Sequence, residues 1–190
     1  MKTQLAMLTL AVSCAFAGNA MALTKEEYKL QKDRVEADYK AGKDKCSTLS
    51  ANAKDICQAE AKGAEKVAKA ELEAQYKPSP RHDKKVRDAK ADAAYDVAKE
   101  KCDDLSGNAK DVCVKDAKAA RTTAKANAKV SKAAADGGKD KAENVAEARK
   151  DAKAEKNEVQ YKAAKERCDA MSGAAKDSCQ SDAKAKFGMK

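Results

Sequence analysis

The chain has 190 residues and a net charge of +9, with 37% charged and 4% aromatic residues. Tryptophan is absent and histidine occurs once, at His82. Such a composition excludes a thick apolar core, a platform for stacking nucleobases and a histidine-based metal centre.

The N-terminal segment is read first. Met1-Lys2 gives a positive start, and Leu5 to Ala17 is an apolar run too short to cross a bilayer as a mature helix. Ala20-Met21-Ala22 is an A-x-A cleavage signal, so residues 1–22 are expected to be a secretory signal peptide. The alternative is lipidation at Cys14, because Ala11-Val12-Ser13-Cys14 loosely matches a lipobox. Cleavage after Ala22 leaves six of the seven cysteines, an even number bound for an oxidising compartment. The expected location is the periplasm or the exterior. No second apolar run reaches bilayer length, so the mature chain is expected to lack a transmembrane segment.

Beyond Ala22, Leu, Ile, Val and Phe make up under a tenth of the residues, while Ala, Lys, Asp and Glu dominate. Strong helix formers with few large apolar side chains predict rods joined by thin seams. The elements follow in chain order. Thr24-Lys25-Glu26-Glu27 is a capping box that opens a helix over 24–49. Further helices are expected over 53–76, 80–105, 109–135, 139–171 and 175–187. Ser79 caps the third, with Pro80 at its first position. Asp136-Gly137-Gly138 breaks the chain before the fifth.

One unit recurs three times: YKAGKDKCSTLSANAKDICQAEAK (39–62), YDVAKEKCDDLSGNAKDVCVKDAK (95–118) and YKAAKERCDAMSGAAKDSCQSDAK (161–184). In the second copy Tyr95, Ala98, Cys102 and Leu105 are spaced 3, 4 and 3, which puts them on one helix face. Leu49 and Met171 take the place of Leu105 in the other copies. Tyr39, Tyr95 and Tyr161 are expected to anchor the seam below each cysteine pair; a role in ligand contact is the alternative. Gly107 and Gly173 suit the left-handed position just past a helix, and Asn52 and Asn108 suit the cap of the next one. The third copy has Ala174 instead of Asn, which shifts its cap to Ser172. The first has Ala51 instead of Gly.

The cysteine spacing decides the architecture. On one straight helix, residues eleven apart stand about 16 Å apart along the axis, beyond the roughly 4.4–6.8 Å that a disulfide spans between α-carbons. A reversal centred on Ser106 to Ala109 brings Cys102 and Cys113 together across two antiparallel helices. The same reversal over Ser50 to Ala53 pairs Cys46 with Cys57, and over Ser172 to Ala175 it pairs Cys168 with Cys179. The fold class is therefore all-α: three helix–turn–helix hairpins, each stapled by a C-x10-C disulfide. The expected units are 23–77, 78–136 and 137–190. Zinc would call for tighter cysteine spacing and histidines, and the C-x-x-C motif of oxidoreductases is missing.

No nucleophile elbow, HExxH or glycine-rich phosphate loop occurs, so no catalytic, cofactor-binding or metal residue is assigned and no enzyme activity is expected. Acids and lysines alternate, as in Asp88-Ala89-Lys90-Ala91-Asp92, the pattern of a solvated helix face. Expected partners are a protein or a second copy engaged through helix faces, with weak attraction to anionic envelope polymers and no specific nucleic acid.

KAENVAEARKDAKAEKNE (141–158) and AKGAEKVAKAELEAQ (61–75) resemble the Ala-Lys-Glu-rich central helical domain of TolA-type cell-envelope proteins. That resemblance is compositional and implies a periplasmic spacer between envelope layers. The chain departs from the family in its cleavable N-terminus, its added cysteine hairpins and the lack of a globular C-terminal domain. The expected function is a non-enzymatic structural or interaction protein of the envelope. The alternatives are a hydrophilic stress protectant and a cysteine-based metal or redox sensor.

Overall fold

A computed structural model describes residues 22–189; the expected signal peptide and Cys14 lie outside them, save Ala22. Six helices run in chain order: α1 (Lys25–Cys46), α2 (Ala51–Tyr76), α3 (Pro80–Cys102), α4 (Gly107–Ala135), α5 (Lys141–Cys168) and α6 (Gly173–Phe187). No strand occurs among the described residues. The helix starts follow local chemistry. Thr24 and Glu27 close a reciprocal capping box. The Ser79 hydroxyl accepts from the His82 amide, with Pro80 in the first turn.

Each helix packs only against its neighbours in sequence: α1 on α2, α2 on α3, α3 on α4, α4 on α5 and α5 on α6. The protein is therefore a single layer of antiparallel helices. Helix phase explains why the layer does not curl into a bundle. On α3, Ala93 faces Gly63 of α2, and Cys102 is bonded to Cys113 of α4. Those two positions are nine residues apart, two and a half helical turns, so the two seams lie on opposite sides of the helix. Two broad faces are left open along the layer.

The seams are narrow. The buried apolar residues are Cys46, Leu72, Ala91, Cys102, Ala119, Ala126, Ala128, Ala152, Ala163, Cys168 and Ala183. All but Leu72 are alanine or cysteine, so helices approach closely and gain little apolar burial per contact. At about 25 cal/mol per Å² of buried apolar surface, such side chains contribute far less than leucines would. The closest approach is at Gly63, where an added Cβ would stand 2.8 Å from the Ala93 Cβ. Ion pairs tie the seams along their edges: Lys66 to Asp96 (3.1 Å) and Lys90 to Glu71 (2.7 Å) between α2 and α3, and Lys125 to Asp92 (2.8 Å) between α3 and α4. Arg121 also pairs with Asp92 and lies 5.0 Å above the Tyr95 ring.

The open end of the first hairpin has its own clamp. Tyr28 and Tyr76 pack with ring centroids 4.5 Å apart, and the Tyr28 hydroxyl donates to Glu73. No described helix is long and apolar enough to cross a membrane.

Candidate functional site: the stapled tips and the joints between hairpins

Three disulfides join Cys46 to Cys57, Cys102 to Cys113 and Cys168 to Cys179, each with α-carbons 5.6 Å apart. Because neighbouring helices alternate in direction, all three staples lie at one end of the layer. The pairing is the one the spacing predicts, but the turn sits elsewhere. Helices α1, α3 and α5 end on the first cysteine itself, and the second cysteine is the seventh residue of the returning helix. The reversal is thus made by Ser47 to Ser50, Asp103 to Ser106 and Asp169 to Ser172, not by the quartets centred between the cysteines.

This shift moves several residues from their expected places. Leu49, Leu105 and Met171 fall beyond the helix end, so the helical spacing that put them on the seam no longer applies. Each donates its amide to the carbonyl of the preceding cysteine and stands exposed at the tip, at 42%, 45% and 48%. Gly107 and Gly173 adopt a left-handed φ of 56°, as expected, but as the first residue of the returning helix. Ala51 takes the same turn at φ 48°, a conformation glycine would adopt at lower cost. The N-caps are Ser50, Ser106 and Ser172, none with a side-chain cap bond. Of these only Ser172 was expected.

Asn52 and Asn108 are therefore not caps of their own helices. The Asn52 amide donates to the Glu100 carbonyl (2.8 Å) and to the Asp104 carboxylate (2.7 Å). The Asn108 amide donates to the Glu166 carbonyl (3.0 Å). Glu100 and Glu166 lie in the last turns of α3 and α5, where their carbonyls also accept from the C-cap amides of Asp103 and Asp169 and have room for a second donor. Each asparagine thus caps the C-terminus of the next hairpin's first helix and joins one tip to the next.

The two ends of the layer are finished differently. Among the described residues no hairpin packs beyond the third, and Ala174 stands where the asparagine would be. No asparagine among the described residues reaches the equivalent carbonyl of the first hairpin, at Asp44. There Ser47 supplies its own hydroxyl to the Asp44 carbonyl at 2.6 Å. The matching residues in the other tips are Asp103 and Asp169, which as carboxylates cannot donate. They pair instead across the turn with Lys110 (2.9 Å) and Lys176 (2.8 Å). The Lys176 bond holds the Asp169 carboxyl below the usual range.

Tyr39, Tyr95 and Tyr161 are half-buried one to two turns below their staples, where the spacing places them. His82 sits in the first turn of α3, its Nδ1 within reach of the Ser79 hydroxyl (3.0 Å) and the Lys77 carbonyl. All six cysteines of the described residues are taken up in disulfides. Among those residues no group of three or more His, Cys, Asp or Glu side chains is placed to hold a metal ion.

Comparison of the chain with protein-family models, with curated proteins and with solved structures returned no match.

Proposed function

We propose that the protein is an exported, periplasmic structural or interaction protein of the cell envelope that works without catalysis by presenting its helix faces to a partner. The observation that carries this reading is the one-helix-thick layer. Helices α2 to α5 each spend two sides on their sequence neighbours, and α1 and α6 one side, so both faces of the layer are free along their whole length. The grooves on those faces are shallow and open, unlike the enclosed pocket in which acid–base pairs are tuned. Disulfides stiffen the layer in an oxidising compartment without a large core. Extension by helices of Ala, Lys and Glu is what the TolA-type resemblance implies for a spacer, and self-association through a face is the simplest alternative partner.

The test is photo-crosslinking in the exported protein from exposed Ala94 on one face and exposed Lys62 on the other. A discrete adduct from one face is expected. Adducts from neither face, or reproducible turnover by the purified oxidised protein, would end the proposal. The thin seams favour one rival, a stress protectant that is largely unfolded alone. Circular dichroism of the oxidised protein in dilute buffer separates the two, since the layer requires high helicity there.

A further inference from the structure

A groove of ≈ 470 Å³ runs between α4 and α5 on one face of the layer. Its walls include Arg149, Lys153 and Lys156 from α5, with Asn127 and Ser131 from α4 and Gln160 above them. No carboxylate lines it. Other cations on these two helices are bonded to acids across the seam: Lys115, Lys129 and Arg167 each pair with a carboxylate of the adjacent helix. Arg149, Lys153 and Lys156 have no such partner among the described residues.

The repeat supplies an internal control. Counting from the staples, the equivalent positions between α2 and α3 are Asp83, Arg87 and Lys90 on α3 and Glu71 on α2. There the charges balance, and Lys90 is bonded to Glu71 at 2.7 Å. Between α4 and α5 the two acids are replaced, Asp83 by Arg149 and Glu71 by Asn127. A neutral joint has become a site with three cations, ringed by amide and hydroxyl donors. The three acids of this part of α5 lie outside the groove: Glu155 is bonded to Lys129, Glu158 to Lys162, and Asp151 is exposed away from the lining.

We propose that this groove binds a soluble ligand carrying two or more phosphate groups. The cations recur at i, i+4 and i+7, which sets them along about 10 Å of the helix axis, the reach of a short phosphate chain. Asn127, Ser131 and Gln160 add neutral donors for phosphate oxygens. An anionic membrane surface fits less well, because it would also meet Asp83 and Glu71 on the same face. A nucleic acid fits less well too, since the groove has no aromatic side chain on which a base can stack. The inference stands on the groove alone and does not depend on the envelope role.

The test is calorimetric titration of the oxidised protein with inorganic tripolyphosphate at low ionic strength. Saturable binding that weakens with added salt is expected. The double variant N127E/R149D restores the acids of the first joint and should weaken binding by about tenfold or more. The control K29D/K32Q makes the same change in net charge on exposed α1 and should alter binding by less than about twofold. N127E alone, an exposed single change, should give an intermediate loss and keeps the test valid if the double variant misfolds. No binding by the unaltered protein would overturn the proposal. So would equal losses in the groove variant and the control, or binding to anionic phospholipid vesicles without binding to tripolyphosphate.

Discussion

The side-chain amide of Asn52 is bonded to the main-chain carbonyl of Glu100, 48 residues away and in the next hairpin. Asn108 repeats the contact with Glu166. The joints between hairpins are thus made by the same repeat that carries the staples. A neutral hydrogen bond of this kind contributes about 1 kcal/mol, and loss of the donor leaves each carbonyl with only its C-cap amide, Asp103 or Asp169. Asn108→Ala should therefore lower stability by about 1 kcal/mol in chemical denaturation. Ala174→Asn should be close to neutral in this 190-residue chain, because the described residues offer it no carbonyl of a next hairpin.

Gly63 and Gly42 predict opposite outcomes for one chemical change. Alanine gains about 1 kcal/mol over glycine within a helix. At Gly42 the new Cβ would meet Ala61 at 3.4 Å, ordinary contact. At Gly63 it would meet the Ala93 Cβ at 2.8 Å, and neither atom can rotate away. Overpacking of this sort costs about 1–3 kcal/mol. Thermal melts should show Gly42→Ala neutral or stabilising and Gly63→Ala destabilising, with Ala93→Gly in the same chain restoring part of the loss.

Each staple closes a short loop, worth about 3 kcal/mol in the chain-entropy account. With seams built from alanine, few other contacts replace it. Cys102→Ser with Cys113→Ser should lower stability by about that amount. Full reduction should cost helicity across the chain, read by circular dichroism with and without reductant.

Asp92 joins α3 to α4 through Lys125 and Arg121. Burial raises its pKa, but the bonds from Lys125 and Arg121 outweigh that, and the net shift is downward. A carboxyl lowered in the folded state adds stability above its unfolded pKa, and this is lost as the pH falls through the folded value. The Asp92 contribution should therefore be intact at neutral pH and disappear below the ordinary carboxylate range. Asp92→Asn should lower stability at pH 7 and make the fall between neutral and strongly acidic pH smaller than in the unaltered protein.

Much of the fold is legible in the sequence. Helix rise and the even spacing of the cysteines led to the correct three pairs, and Pro80, Ser79 and the Thr24 capping box marked their helix starts. The turns fall earlier than the sequence predicts, because Gly107 and Asn108 have the local chemistry of a helix stop and cap but open and flank the returning helix. That reading considers one hairpin alone. The function of Asn52 and Asn108 exists only when a second hairpin lies alongside, and local propensity contains no trace of it. One signal is present in the repeat: the asparagine occurs in the two copies that are followed by another copy in this sequence, and the third has Ala174. Leu49, Leu105 and Met171 were placed on the seam by a helical spacing that runs past the end of the helix. The basic groove was also missed, since charges that alternate along the chain look balanced until helix phase sorts them by face.

The most direct test of stapled hairpins as the folding unit is disulfide mapping of the exported protein. Digestion without reductant, followed by mass spectrometry, should find Cys46–Cys57, Cys102–Cys113 and Cys168–Cys179 with no free thiol, on a chain that begins at Leu23. A bridge between two repeats, or unpaired cysteines in the exported form, would contradict the account.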